Sequence, residues 1–204
     1  MASLRTIQRY EILHASRAPS FTSPTTPTAR HRSRSGCAAT CSFVGRKENV
    51  FFAGPSGVGK SHLAQALGHE AARRGHDVLF RRTATLLQWI SAARGDGSSE
   101  RRLRAVSTQP LLILDDFGLT PYSEEQQADL YELICERYEK SSTVVTSNRD
   151  FSEWLAVFSN PLMGSAAMDR LVHRGIKIVI KGKSYRVDSF LQRSRTLTEG
   201  AKAG

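Results

Sequence analysis

Two stretches of this sequence combine residue types that act on phosphates. Residues 54–61 read GPSGVGKS. This is the spacing G-x4-G-K-[S/T], in which glycines let the backbone wrap an anion and the loop amides donate to it. Gly54, Gly57 and Gly59 allow the close approach, with Pro55, Ser56 and Val58 between them. Lys60 is placed to reach the β- and γ-phosphates of ATP, and the Ser61 hydroxyl to ligate Mg²⁺. His62 follows and closes the candidate nucleotide-binding set.

The second stretch is LLILDD, residues 111–116. Four aliphatic residues run straight into two adjacent carboxylates. In an open α/β sheet, ligands sit beyond the carboxyl ends of the strands. A buried strand that emerges at that edge explains the pattern, with Asp115 holding Mg²⁺ through water as a Walker-B aspartate does. Neighbouring strand-end residues point in different directions. Asp116 is therefore free for another task, orienting or deprotonating the attacking water; the alternative is a cap on the following turn. Glutamate is the commoner residue here, and aspartate is shorter by one methylene. Asn148 closes a further apolar strand, TVVTSN, the fourth in the chain, and fits a sensor of the γ-phosphate or the water; the alternative is a turn-forming Asn.

These residues need elements to carry them. ENVFFAG reads as a buried strand leading into the glycine loop, and SHLAQALGHEAARRG as the helix that the loop opens, stopped at Gly75. DVLFRRT, PLLILDD, STVVTSN and IKIVIKG read as four further strands. TLLQWISAARG and SSERRLRAVS read as two short helices around a Gly-Asp-Gly break. SEEQQADLYELICERYEK reads as an amphipathic helix with Ser123 and Gln126 as a capping box. Residues 150–157 and 161–173 read as helical. Alternating strands and helices imply a parallel sheet covered on both faces.

Composition bounds the rest. The 204-residue chain is 40% hydrophobic and 24% charged, in the globular range. No run of about 18 apolar residues is present to span a membrane. Cys37, Cys41 and Cys135 show no CxxC spacing, which argues against a disulfide framework or a zinc site and suits a cytoplasmic protein. The net charge of +10 is uneven: residues 1–47 hold eight Lys/Arg and one Glu, the remainder 21 and 18. The high pI is thus weak evidence for a nucleic-acid partner. Residues 1–40 are rich in Ser, Thr, Pro and Arg and are expected to be disordered. They fit a transit peptide loosely; a displaced start or a damaged upstream region is the preferred reading. A domain is expected over 41–192 and a flexible tail over 193–204.

Taken together, GRKENVFFAGPSGVGKSHLAQALG, LLILDDFGL, TVVTSNR, SAAMDRLVHRG and KGKSYR resemble the IstB-like helper ATPases of bacterial transposons, relatives of the DnaC-type helicase loaders in the AAA+ group. The resemblance covers about residues 40–192, and MDRLVH followed by KGKSYR is its most specific part. It implies an AAA+-type P-loop fold, a three-layer sandwich with a five-stranded parallel sheet and no helical lid. It implies that Arg170 is an arginine finger reaching a neighbour's γ-phosphate, with Arg174 a weaker candidate; the alternative is a surface salt bridge. It also implies that the helices of 84–107, carrying Arg94, Arg101, Arg102 and Arg104, line a DNA path; a solvated basic face is equally open. The implied activity is DNA-stimulated, assembly-dependent ATP hydrolysis. The implied partners are a transposase, double-stranded DNA held without sequence preference, and further copies of the chain.

Residues 1–40 depart from the N-terminal helical region usual in that family. A helicase loader and a truncated, non-catalytic ATP-binding remnant therefore stay open as alternatives. A small-molecule kinase fits less well, since no segment supplies a mobile basic lid or a substrate pocket.

Overall fold

Near-continuous apolar strands demand cover on both faces of the sheet, and the unbroken burial of Val50–Ala53, Leu111–Asp115 and Ser142–Ser147 shows that cover. The structure, a computed structural model, describes residues 41–187. The expectations for residues 1–40 and 193–204 lie outside the described residues. The described chain runs α1 (Ser42–Gly45), β1 (Val50–Ala53), α2 (Lys60–Arg73), β2 (Val78–Arg82) and α3 (Thr83–Ser91). It continues through a 3-10 turn (Ala92–Arg94), α4 (Ser99–Ser107), β3 (Leu111–Asp115) and α5 (Glu124–Arg137). It then forms β4 (Ser142–Ser147), a 3-10 segment (Phe151–Val157), α6 (Pro161–Val172) and β5 (Ile176–Val179).

The five strands form one sheet in the order β2-β3-β4-β1-β5, with every pair parallel. Successive strand residues point to opposite faces. Leu111, Ile113, Val50, Phe52 and Val144 accordingly join one buried cluster with Phe43, Val44, Ala64 and Ala71 of α1 and α2. Leu112, Leu114, Phe51 and Val145 join the other, with side chains of α3, α4, α5 and α6. This is the three-layer α/β sandwich expected from the strand pattern. No helix among the described residues is long and apolar enough to cross a membrane.

The elements agree closely with the sequence pattern. The capping box on α5 forms, with Ser123 and Gln126 bonding reciprocally. Residues 151–157 take a 3-10 rather than an α form, around a fully buried Trp154 whose ring stacks on Phe151 at 4.3 Å. The short helix α1 has no counterpart in the pattern. Phe43 and Val44 are buried there, and the Phe43 carbonyl accepts from Ser142 Oγ at 3.1 Å.

One buried charge ties the helical insert to the sheet. Arg137 at the end of α5 is 3% exposed. Its guanidinium donates to the carbonyls of Val106, Ser107, Gln109 and Ser142 and to Thr143 Oγ1. Three of these acceptors lie at or just beyond the C-terminus of α4, where carbonyls lack helical partners and the dipole favours a cation. Burial pushes the guanidinium down to about 9, so it stays charged at neutral pH. Arg137→Met should strand those carbonyls and cost about 3 kcal/mol or more. Thermal unfolding should register this as a Tm lower by roughly 10 °C.

Candidate functional site

The strand order brings the predicted residues to one edge. β4 pairs with β1 on one side and β3 on the other. The loop that follows β1 and the aspartates that end β3 therefore flank Asn148, which follows β4 directly and is exposed. Lys60, Ser61, Asp115, Asp116 and Asn148 share the carboxyl edge of the sheet.

The glycine loop has the backbone that its residue types allow. Gly54, Gly57 and Gly59 all have positive φ, and Gly59 caps α2. The N-terminus of α2 thus opens at the loop, with its free amides and positive dipole directed there. Val58 is buried and anchors the loop, while Pro55, Ser56 and His62 are exposed. Lys60 is 8% exposed, and its Nζ donates to the carbonyls of Gly54 at 2.8 Å and Pro55 at 2.7 Å. Burial lowers its pKa; the Asp116 and Asp115 carboxylates oppose that shift and Arg186 adds to it.

Thr146, absent from the sequence reading, organises the two aspartates. Its hydroxyl donates to Asp115 Oδ1 and accepts the Asp116 N–H at 3.1 Å. Its carbonyl accepts the Phe117 N–H at 2.9 Å. Thr83 at the start of α3 donates to the Asp115 carbonyl at 2.9 Å. Asp115 is buried, whereas the Asp116 side chain is 43% exposed. Asp116 has φ +54°, a left-handed conformation that aspartate tolerates better than most residues. Its Oδ2 lies 3.9 Å from Arg82 Nε at the end of β2. The two carboxylates therefore differ in burial and direction although they are adjacent in sequence. Thr146 is one of four polar residues in the strand STVVTS, so no local pattern singled it out for this arrangement.

A second missed contribution comes from KGKSYR. After β5, Ile180 N donates to Ala53 O at 2.8 Å and Tyr185 N to Gly57 O at 3.1 Å. A Cβ on Gly54 would lie 2.1 Å from Ile180 O, and one on Gly57 would lie 2.0 Å from Ser184 Oγ. Residues 180–185 thus pack directly on the phosphate loop. This contact joins positions more than a hundred residues apart, so no local pattern announces it.

Other predicted residues lie elsewhere. Arg170 is near the C-terminus of α6, which leads into the start of β5. It therefore sits at the amino edge of the sheet, a strand length of about 13 Å from the loop edge. Its Nη1 donates to Ala166 O at 2.8 Å, and its guanidinium lies 5.9 Å from the Tyr131 ring centroid. Arg174 is exposed in the left-handed corner after α6, at φ +57°.

The four arginines of the insert divide into two kinds. Arg94 clasps the buried Asp129 carboxylate with both nitrogens and lies 3.6 Å from Glu125. Arg102 stacks over Trp89 at 4.8 Å and donates to its carbonyl at 2.7 Å. Arg94 fastens the insert to α5, and Arg102 fastens the two helices of the insert to each other. Arg101 is exposed, and Arg104 forms an exposed pair with Glu100 at 2.9 Å.

The parallel sheet, the glycine loop at the end of β1 and the aspartate pair at the end of β3 define a P-loop nucleotide-binding domain of the AAA+ type. The family model described as IstB-like ATP binding protein matches residues 24–193, and the chain belongs to that family. It is 41% identical over 149 residues to a protein of Pseudomonas aeruginosa described as an ATP-binding protein of insertion sequence IS21, covering 73% of this chain and 56% of that protein. It is 42% identical over 144 residues to an insertion-sequence ATP-binding protein of Sinorhizobium fredii, covering 71% and 59%. The chain thus spans between half and two thirds of the length of these relatives. Among solved structures it is similar in fold to the DnaC helicase loader, with a TM-score of 0.60 at 24% identity over 77% of this chain and 94% of that one. The DnaI structure is similar to the same degree, with a TM-score of 0.60 at 22% identity over 90% and 94%.

The Thr146 arrangement yields a direct test. Thr146→Val keeps the shape of the side chain but leaves the Asp115 carboxylate and the Asp116 N–H without their shared partner. It should cost about 1–3 kcal/mol in denaturant unfolding. Thr146→Ser, which keeps the hydroxyl, should restore most of that loss.

Proposed function

We propose that this chain binds and hydrolyses ATP within an assembly of its own copies on duplex DNA, and so assists the transposase of its mobile element in selecting a target. The observation that carries the reading is the split between two edges of one sheet. Phosphate loop and aspartates share the carboxyl edge, and Arg170 stands at the opposite one. Arg170 cannot serve its own loop across a strand length, so a site that uses it takes it from a neighbouring copy.

In this reading the loop amides from 54 to 61 and the Lys60 ammonium hold the β- and γ-phosphates. To do so Lys60 exchanges the carbonyls of Gly54 and Pro55 for phosphate oxygens. Ser61 and Asp115 supply a hydroxyl and a carboxylate, the hard oxygen donors that suit Mg²⁺. Mg²⁺ bound there neutralises charge on the phosphate oxygens. Asp116 orients a water and accepts its proton as the water oxygen attacks the γ-phosphorus. The bond from that phosphorus to the bridging oxygen breaks, and ADP and phosphate leave. Asn148, between the two strand ends, contacts the γ-phosphate or the water. Arg170 of a neighbour stabilises the charge that develops on the transferred group.

The DNA role has narrower support. Arg101 and Arg104 are outward-facing arginines of the insert and suit phosphate contacts without sequence preference. The relatives described as insertion-sequence proteins, at about 40% identity, favour the transposition role over that of a helicase loader.

ATP affinity and turnover, measured separately, test the assignment. Lys60→Ala should abolish binding. Asp116→Asn should keep binding and lower turnover by about 100-fold or more. Arg170→Ala should likewise keep binding and lose about 100-fold or more of turnover. Unchanged turnover in the last two variants would leave Asp116 a cap and Arg170 a surface residue. Co-purification with a replicative helicase instead of a transposase would overturn the proposed role.

A further inference from the structure

The amino edge of the sheet holds a contact that the mechanism has not used. Asn49 precedes β1, and three elements meet on it. Its Nδ2 donates to Leu171 O at 2.8 Å. Its Oδ1 accepts the Thr143 N–H at 2.8 Å. Its carbonyl accepts the Ile176 N–H at 2.8 Å. One residue therefore joins the start of β1, the start of β4 and both ends of the corner from α6 to β5.

Helix termini explain why the first of these bonds matters. The last four carbonyls of a helix have no partner within it. In α6, Asp169 O accepts from His173 N and Val172 O from Gly175 N. Leu171 O takes its partner from Asn49, and Leu171 directly follows Arg170. The corner itself has little freedom. A Cβ on Gly175 would lie 2.3 Å from Phe51 Cε2, and Arg174 is left-handed at φ +57°. The end of α6 is thus held against β1 by Asn49 on one side and by a tight turn on the other. Asn49 and Arg170 also line the same small crevice, with Leu171, Arg137 and Tyr138.

We infer that Asn49 is a positioning residue for Arg170. Its amide fixes the end of α6 relative to the strand that carries the phosphate loop, and so sets where Arg170 is presented to a neighbouring copy. The inference rests on the reading of Arg170 as a residue supplied between copies. It predicts an asymmetry that general damage to the fold does not produce: Asn49 matters in the chain that gives Arg170, not in the chain that receives it.

Mixed assemblies on duplex DNA measure this asymmetry. Arg170→Ala chains keep the loop and Asp116 but offer no arginine. Asp116→Asn chains offer the arginine but do not turn over ATP. Mixed together, they should recover turnover that neither has alone. Asn49→Asp keeps the acceptor for Thr143 N–H and removes the donor to Leu171 O. Placed in the Asp116→Asn chain, it should cut the recovered turnover by about 10-fold or more, and placed in the Arg170→Ala chain leave it within about twofold. Equal losses in both placements, or no loss in either, would overturn the inference. A mixture that recovers nothing before Asn49 is changed removes the reading of Arg170, and the Asn49 inference falls with it. If Asn49→Asp chains do not fold, Asn49→Ser in the same two placements makes the same comparison.

Discussion

A parallel sheet covered on both faces has no room for charge except at its strand ends. That constraint organises this domain. β3 is buried along its whole length, from Leu111 to Asp115. The carboxylate of Asp115 emerges only where the strand stops, and even there it needs Thr146 of the next strand to donate to it. Because β4 lies between β1 and β3, the hydroxyl that steadies the aspartates comes from the strand adjoining the phosphate loop. The carboxylates of Asp115 and Asp116 and the polar end of β4 are thus placed together by sheet order.

The two edges of the sheet do different work. The carboxyl edge carries the loop, the aspartates and the strap of residues 180–185 that packs on Gly54 and Gly57. The amino edge carries two polar anchors, the buried Arg137 and the half-buried Asn49. Arg137 ties the end of α4 and the start of β4 to α5, and Asn49 ties β1 to α6. Since β1 and β4 run from one edge to the other, the helix that bears Arg170 and the glycine loop are connected through strands that span the sheet.

The strands and helices were legible because each rests on local information. The unbroken apolar run Leu111–Leu114, the stop at Gly75 and the Ser123–Gln126 box are read within a few residues. The phosphate loop was legible for the same reason. What escaped the sequence depends on partners far along the chain. Thr146 meets Asp115 from 31 positions away, Asn49 meets Leu171 from 122, and Tyr185 meets Gly57 across most of the domain. Composition also could not separate the arginines of the insert. Arg94 and Arg102 turn inward to Asp129 and Trp89, whereas Arg101 faces outward. A buried arginine such as Arg137, with carbonyls as its partners and no carboxylate, has no sequence signature at all.

The central claim is that the site is completed between copies, and the rate of ATP hydrolysis per chain tests it most directly. Steady-state turnover should be measured across a wide range of protein concentration, with and without long duplex DNA. The account predicts a rate per chain that rises steeply with concentration and rises further when DNA gathers the copies. A rate per chain that is the same at every concentration and indifferent to DNA, in a protein that binds ATP, would contradict it.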